Sequence, residues 1–248
     1  MKAILRSTLK LSGAAQAEAH GSPTTSLKLD LLRSLNGDAS KPATLNKIVL
    51  VDAEGDERDH AALSSTGWSF TGAASWRKAY QPASITCTAS YTVAKIRLYG
   101  DTSLYFEHTL PQPIEVLDGS TINATVNITV TVTLQHVQGG ENAAAQPLAA
   151  YPQTLIRRFT TGEDRGRKIN RVTLWDGDAY VAMLIGSTSI DEAMLRYSLT
   201  ASFTPASSVT IDRYRYVIEL GPDVALVTMN KLTLGPDMTH IWSLTLQL

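Results

Sequence analysis

Residues 122–134 read Ile-Asn-Ala-Thr-Val-Asn-Ile-Thr-Val-Thr-Val-Thr-Leu, with an apolar residue at every even position and Asn or Thr at every odd one. In an extended chain, successive side chains point to opposite faces, so a period of two marks a strand. The many β-branched residues favour a strand as well. This stretch predicts a long strand with one buried face, and it sets the expected fold class as all-β.

Other strands are predicted by the same alternation, or by short apolar runs between turn signals such as Asp-Gly and Gly-Pro. They cover residues 85–92, 195–204 and 242–248 and, more briefly, 47–51, 95–99, 103–108, 171–175, 214–219 and 225–229. Helix signals are few, so helix is expected to be minor. Leu27, Leu31 and Leu35 share one helical face within residues 26–35, whereas residues 14–20 fit either a turn of helix or an extended chain.

Segments on the two sides of residues 138–150 resemble each other in the same order. The offset is 124 residues for the first two pairs and drifts to 112 and 116 for the last two. Such drift is expected where insertions fall in loops. The alternative source of part of this likeness is a β-sandwich pattern that both segments share without duplication. The pairs are 31–37 with 155–162, 45–52 with 169–176, 86–92 with 198–204, and 116–134 with 232–248.

The repetition predicts two tandem antiparallel β-sandwich domains, immunoglobulin-like or jelly-roll-like, each with two sheets packed over a core. The first repeat is expected at 27–137 and the second at 151–248, joined by a linker at 138–150. An N-terminal strand or arm occupies 1–26. It either joins the first repeat or crosses to a partner.

Composition argues against several classes of function. With 22 basic and 23 acidic residues the net charge is −1, so no basic excess points to nucleic acid. No apolar run is long enough for a spanning helix, and charges interrupt the N-terminal residues every few positions, unlike a signal peptide. We therefore expect neither a nucleic-acid nor a membrane partner.

Catalytic motifs are not evident, and we expect neither an enzyme nor a bound cofactor. The five histidines lack helical metal spacing, and no nucleophile elbow or glycine-rich phosphate loop occurs. The best metal candidate is the acidic loop with Asp52, Glu54, Asp56 and Asp59 around a glycine, since Ca²⁺ prefers six to eight oxygen ligands. It lacks the glutamate of an EF-hand loop, so the alternative is a solvated loop between strands.

Tryptophans raise the possibility of carbohydrate binding, because exposed aromatic rings can stack on sugars. Trp175 and Trp242 belong to predicted strands, and their positions favour core packing. Trp68 and Trp76 lie in and beside the variable Gly/Ser-rich region 64–75. These two are the predicted surface-contact residues.

The order of parts within each repeat resembles a family of β-sandwich virion structural proteins of tailed bacteriophages. Its members serve in tails, necks and capsid decoration. The resemblance is one of pattern over most of the chain. In the second repeat, 233–237 (Thr-Leu-Gly-Pro-Asp) replaces the Pro-Ile entry. The matching parts are a leucine-rich segment ending in glycine (31–37), an apolar strand leading to an acidic-Gly turn (48–55), a strand ending in aromatic-Thr (84–92), and a Pro-Ile-x-Val-x-x-Gly entry (113–119) into the final strand.

This resemblance implies a structural role in the virion, with other virion proteins and copies of the same chain as partners. The alternative is a host-attachment or carbohydrate-binding module on the same fold, whose partner would be a host surface glycan. Fold alone does not decide between these roles.

Overall fold

The computed structural model describes residues 2–14, 16–72, 74–133, 144–148, 150–219, 221 and 223–248. Of residues 65–72, 144–147 and 150 it describes only the backbone. The helices are α1 (Thr25–Leu35) and α2 (Ala150–Thr160). The strands are β1 (Lys2–Gly13), β2 (Ala17–Pro23), β3 (Leu45–Asp52), β4 (Glu57–Ala62), β5 (Ser65–Gly72), β6 (Ser75–Tyr80), β7 (Ala83–Thr86), β8 (Tyr91–Gly100), β9 (Ser103–Val116), β10 (Thr121–Thr133), β11 (Ala144–Pro147), β12 (Ile169–Asp176), β13 (Ala179–Ile185), β14 (Ser187–Asp191), β15 (Arg196–Phe203), β16 (Val209–Ile218), β17 (Asp223–Leu234) and β18 (His240–Gln247).

Strands dominate the described part of the chain, so the all-β prediction is confirmed. The strand predicted from residues 122–134 is β10, and its apolar positions face the core. They are all fully or almost fully buried: Ile122, Ala124, Val126, Ile128, Val130 and Val132. The predicted helix is α1, which Thr24 caps by accepting a hydrogen bond from the Leu27 amide through its side-chain oxygen.

The N-terminal strand joins the first half of the chain. β1 pairs antiparallel with β10 over its whole length, from Lys2 opposite Thr133 to Gly13 opposite Ile122. Its other edge pairs with β2 between Ser7 and Leu11. Of the two alternatives left open by the sequence, the structure therefore shows pairing within the chain.

The same connectivity occurs twice. In the first half the strands run in the order β9-β8-β3-β4, and in the second half in the order β17-β16-β12-β13. A short strand before each helix extends these sheets, since β2 pairs with β9 and β11 pairs with β17. The strand order thus repeats, as the sequence pairs suggest.

The two halves share a sheet and a core. β14, β15 and β18 of the second half meet β1 at a parallel contact between Lys2 and Gln247, which makes one 13-stranded sheet from the described strands. The buried apolar side chains of both halves form one continuous cluster. α2 belongs to the second half in sequence but packs on β10 and β6 of the first half.

Part of the predicted linker is a strand. Residues 144–147, assigned to the linker, form β11 and pair with β17 from Ala144 opposite Thr228 to Pro147 opposite Ala225. Their Ala-Ala-Gln-Pro sequence has no alternation, so the open edge of β17 and not a local propensity explains the strand. Residues 138–143 lie outside the described residues. Residues 17–20, within the segment that fitted helix or extended chain, belong to β2.

Candidate interaction surface

The acidic loop connects β3 to β4, and its first carboxylate is buried. Asp52 accepts a hydrogen bond of 2.8 Å from the Asp56 amide and pairs with the Arg58 guanidinium. Burial alone raises the pKa of Asp52, but the Asp56 amide and Arg58 outweigh it and hold the pKa below its usual range. Asp52 therefore closes the β3–β4 turn.

Asp59 serves a different part of the structure. Its carboxylate accepts hydrogen bonds from the Thr88 amide (3.0 Å), the Thr88 hydroxyl (2.7 Å) and the Tyr91 hydroxyl (2.8 Å). Burial raises the pKa of Asp59, yet these three donors bring it below the usual range. Asp59 thus fastens the segment before β8 to β4.

The four predicted metal candidates are therefore not gathered around one point. Asp52 and Asp59 are satisfied by separate sets of protein donors, while Glu54 and Asp56 are exposed at the turn. Within the described ranges, no group of three or more His, Cys, Asp or Glu side chains is placed to hold a metal ion.

Trp76 does not fit the prediction of an exposed contact residue. It lies on β6 opposite Val130 of β10, is half-buried, and packs against the core. Its position in a Gly/Ser-rich region suggested exposure, but long-range pairing with β10 turns this position inward. The backbone of Trp68 lies in β5, opposite Lys78, and its side chain is outside the described residues.

The outer face of the five-stranded sheet, on the side away from the core, combines apolar and arginine side chains. We call it the second-half face. Arg215 lies 5.0 Å from the ring of Trp175 and 2.8 Å from the Asp223 carboxylate. Tyr180 packs edge-on against Trp175 at 5.5 Å. The face comprises Tyr180, Met183 and Ile185 on β13, Arg171, Thr173 and Trp175 on β12, Arg213, Arg215 and Val217 on β16, and Leu226 on β17.

The equivalent face of the first half is a network of charges. Glu107 on β9 accepts hydrogen bonds from Arg97 (2.9 Å) and Lys95 (3.1 Å) on β8. Arg97 also reaches Glu57 on β4 at 3.3 Å. Most of its ionisable groups thus have partners on the same face, as is typical of a surface turned to water.

The strand registers allow the two faces to be compared position by position. β3 and β12 are both eight residues long, and each pairs with its neighbours in the same pattern. On this alignment Arg97 corresponds to Arg215, but the acidic and polar positions differ. Aromatic or apolar residues replace three of them: Glu57 by Tyr180, His60 by Met183, and Glu107 by Leu226. At a fourth position the small Ala62 is replaced by the larger Ile185.

β13 is also an edge strand without protection. It ends the order of the five-stranded sheet, and no strand among the described residues pairs with its second edge. The Gly186 amide donates a hydrogen bond of 2.8 Å to the Asn170 carbonyl. In an antiparallel pair, every second residue forms its backbone hydrogen bonds with the partner strand, and the residues between point theirs the other way. The N–H and C=O groups of Met183 and Ile185 therefore point to the open edge, away from β12. These two residues are 47% and 71% exposed, and Tyr180 is 56% exposed.

Sequence reasoning missed this strand. Residues 179–185 read Ala-Tyr-Val-Ala-Met-Leu-Ile, a continuous apolar run that shows neither a helical period nor a strand period. The signal that could have found it is the contrast with the equivalent edge strand β4, which reads Glu-Arg-Asp-His-Ala-Ala.

Comparisons with protein-family models, curated proteins and solved structures returned no match. Among the described helices, neither is long and apolar enough to cross a membrane. Function must therefore be inferred from the surface itself.

Proposed function

We propose that this chain is a structural virion protein of a tailed bacteriophage, a component of the tail, neck or capsid decoration that acts by protein–protein assembly. Its partners would be other virion proteins and copies of itself. The proposal combines the pattern-level resemblance of the repeats with one structural observation that carries it, the unprotected edge strand β13.

Exposed sheet edges invite pairing with other chains, and soluble proteins commonly block them with charged side chains. β4 is blocked in this way, since the charged Glu57 and Arg58 and the polar His60 lie exposed along it. β13 occupies the equivalent place and has no charged residue in its seven. An edge that lacks this protection is suited to accept a strand from a partner.

The second-half face adds side-chain contacts beside that edge. Tryptophan, tyrosine, methionine and arginine are enriched at protein interfaces, and the face contains all four. Because Tyr180, Met183 and Ile185 are already partly buried, covering the rest of each would contribute about 1–2 kcal/mol before the cost of ordering the partners. Backbone pairing and apolar burial would thus act on one surface.

We predict that Met183→Lys, which puts a charge beside the edge, reduces incorporation into particles. The matched control is His60→Lys at the equivalent position of β4. The measurement is quantitative mass spectrometry of purified particles from cells that supply each variant in place of the natural chain. We expect about a tenfold loss for Met183→Lys, which corresponds to about 1.4 kcal/mol of interface free energy.

Two results would contradict the proposal. One is that the chain is absent from purified particles altogether. The other is that both lysine variants assemble as well as the natural chain while circular dichroism shows them folded, since then the β13 edge makes no assembly contact.

A further inference from the structure

A groove of about 550 Å³ lies where the two halves meet, away from the β13 edge. The first residues of β1 form its floor, and Pro23 at the end of β2, Lys28 of α1 and Gln247 of β18 line its sides. It is therefore bordered by elements from both ends of the described chain.

Part of one backbone edge is open in this groove. β1 pairs with β2 only from Ser7 to Leu11, and with β18 only at Lys2. Between these contacts, residues 3–6 have no partner strand on that edge among the described residues. The gap is four residues long, or about 13 Å.

The course of β2 creates the gap. After Gly21, β2 leaves β1 and pairs with β9 through Ser22 and Pro23. Gly21 passes so close to the His108 ring that a Cβ atom there would lie 2.7 Å from the ring Nε2. The close packing of Gly21 against His108 thus fixes the point at which β2 leaves β1.

The charged side chains that line the groove are all cationic. They are Lys2 and Arg6 on β1 and Lys28 on α1, and none of them forms an ion pair with a described residue. Strand alternation puts Lys2 and Arg6 on the outer face four residues apart, while Ala3 and Leu5 point inward and are buried. The open backbone is therefore bordered by positive charge.

We propose that this groove binds an extended acidic peptide segment of another protein, which adds as a short strand beside residues 3–6. Main-chain hydrogen bonds to the open edge would fix its direction, and carboxylates spaced four residues apart would face Lys2 and Arg6, with Lys28 nearby. The site is separate from β13 and does not depend on the proposed virion role.

The test uses the full chain and a fluorescein-labelled peptide, Asp-Val-Thr-Val-Asp, with fluorescence anisotropy as the readout. A peptide with lysine in place of both aspartates is the first control, and a labelled oligothymidylate is the second. We expect the acidic peptide alone to bind, and its affinity to fall as salt is raised.

The variant Arg6→Gln/Lys28→Gln should weaken binding about tenfold, as expected when two charge pairs are lost. Lys10→Gln, a charge change on the same strand but outside the groove, should leave it unchanged, and so should Met183→Lys. Equal binding of the lysine peptide, an undiminished affinity of the double variant, or binding of the oligonucleotide in place of the peptide would overturn the proposal. Because Met183→Lys tests the other surface, either proposal can fail without the other.

Discussion

At the scale of single residues, His108 stands out as an imidazole enclosed in the core. It lies on β9 against Gly21 and is fully buried. Burial lowers the pKa of His108 to about 4, and contacts with the backbone of Ile96 and Ser7 offset this only in part. At neutral pH the ring is uncharged, and protonating it lowers the stability of the folded state.

We predict that this histidine makes the protein less stable in mild acid. In the unfolded chain a histidine titrates near 6.5, so between pH 6.5 and 4 the unfolded state binds more protons. The stabilisation is complete above pH 6.5 and is lost as the pH falls towards 4. Between pH 7.5 and 5 the free energy of unfolding should drop by about 2 kcal/mol through this residue alone.

Urea unfolding of the natural chain and of His108→Gln at pH 7.5, 6 and 5 measures this effect. In His108→Gln the free energy of unfolding should fall by about 2 kcal/mol less between pH 7.5 and 5 than in the natural chain. His60→Gln, on the exposed side of β4, should show the same fall as the natural chain. The lowered pKa values of Asp52 and Asp59 act in a separate window, since their stabilisation is lost only near pH 4 and below. Parallel pH profiles for the natural chain and His108→Gln would refute the assignment.

At the scale of secondary-structure elements, one buried arginine joins the two helices. Arg158 of α2 donates hydrogen bonds of 2.7 Å to the Ser34 hydroxyl of α1 and 2.7 Å to the Arg167 carbonyl. Burial lowers the pKa of Arg158 to about 10, which leaves it charged at neutral pH. A second arginine, Arg33, crosses between the halves at the surface and pairs with Glu192 at 2.8 Å.

We predict that Arg158→Met destabilises the protein by about 2–4 kcal/mol, because two charge-assisted hydrogen bonds are lost and one acceptor, the Ser34 hydroxyl, stays buried. Arg33→Met removes an exposed pair and should cost less than about 1 kcal/mol. Chemical denaturation of the two variants compares them directly. Equal losses of unfolding free energy in the two variants would show that the buried Arg158 hydrogen bonds stabilise the fold no more than the exposed Arg33–Glu192 pair.

The secondary-structure elements also show which parts of the fold could be predicted from the sequence. β10 and α1 were predictable because each carries a clean period, so local pattern and tertiary burial agree. β11 was not, since its residues have no period. β2 was left open because it alternates only small residues (Ala17, Ala19, Gly21) with polar ones, which is too weak an apolar signal to decide between strand and helix. These two segments are strands through their pairing with β17 and β1. The inward position of Trp76 and the exposure of Met183 both depend on pairing between distant segments, which local patterns do not encode.

At the scale of the whole molecule, the shared core links the stability of the halves. α2 rests on strands of the first half, and the buried side chains of both halves are continuous. Neither half can expose its core without exposing part of the other. The strand order therefore occurs twice, but the two copies share one hydrophobic core.

We predict a single cooperative unfolding transition. Amide hydrogen exchange followed by mass spectrometry should give peptides from β3 and β12 the same free energy of global opening. The loop between β3 and β4 should exchange faster and serves as the internal reference. Separate values for β3 and β12 would indicate halves that unfold independently.

The pairing of β1 with β10 also has a consequence for synthesis. A ribosome adding about 5–20 residues per second needs about 5–20 s to go from Gly13 to Ile122. During that interval β1 can form a hairpin with β2, but the partner for its longer edge does not yet exist. We expect the β1–β2 hairpin to remain without its second partner until β10 has been synthesised. β18 should then be the last strand to pair with β1. The order of translation thus becomes the order in which the shared sheet is assembled.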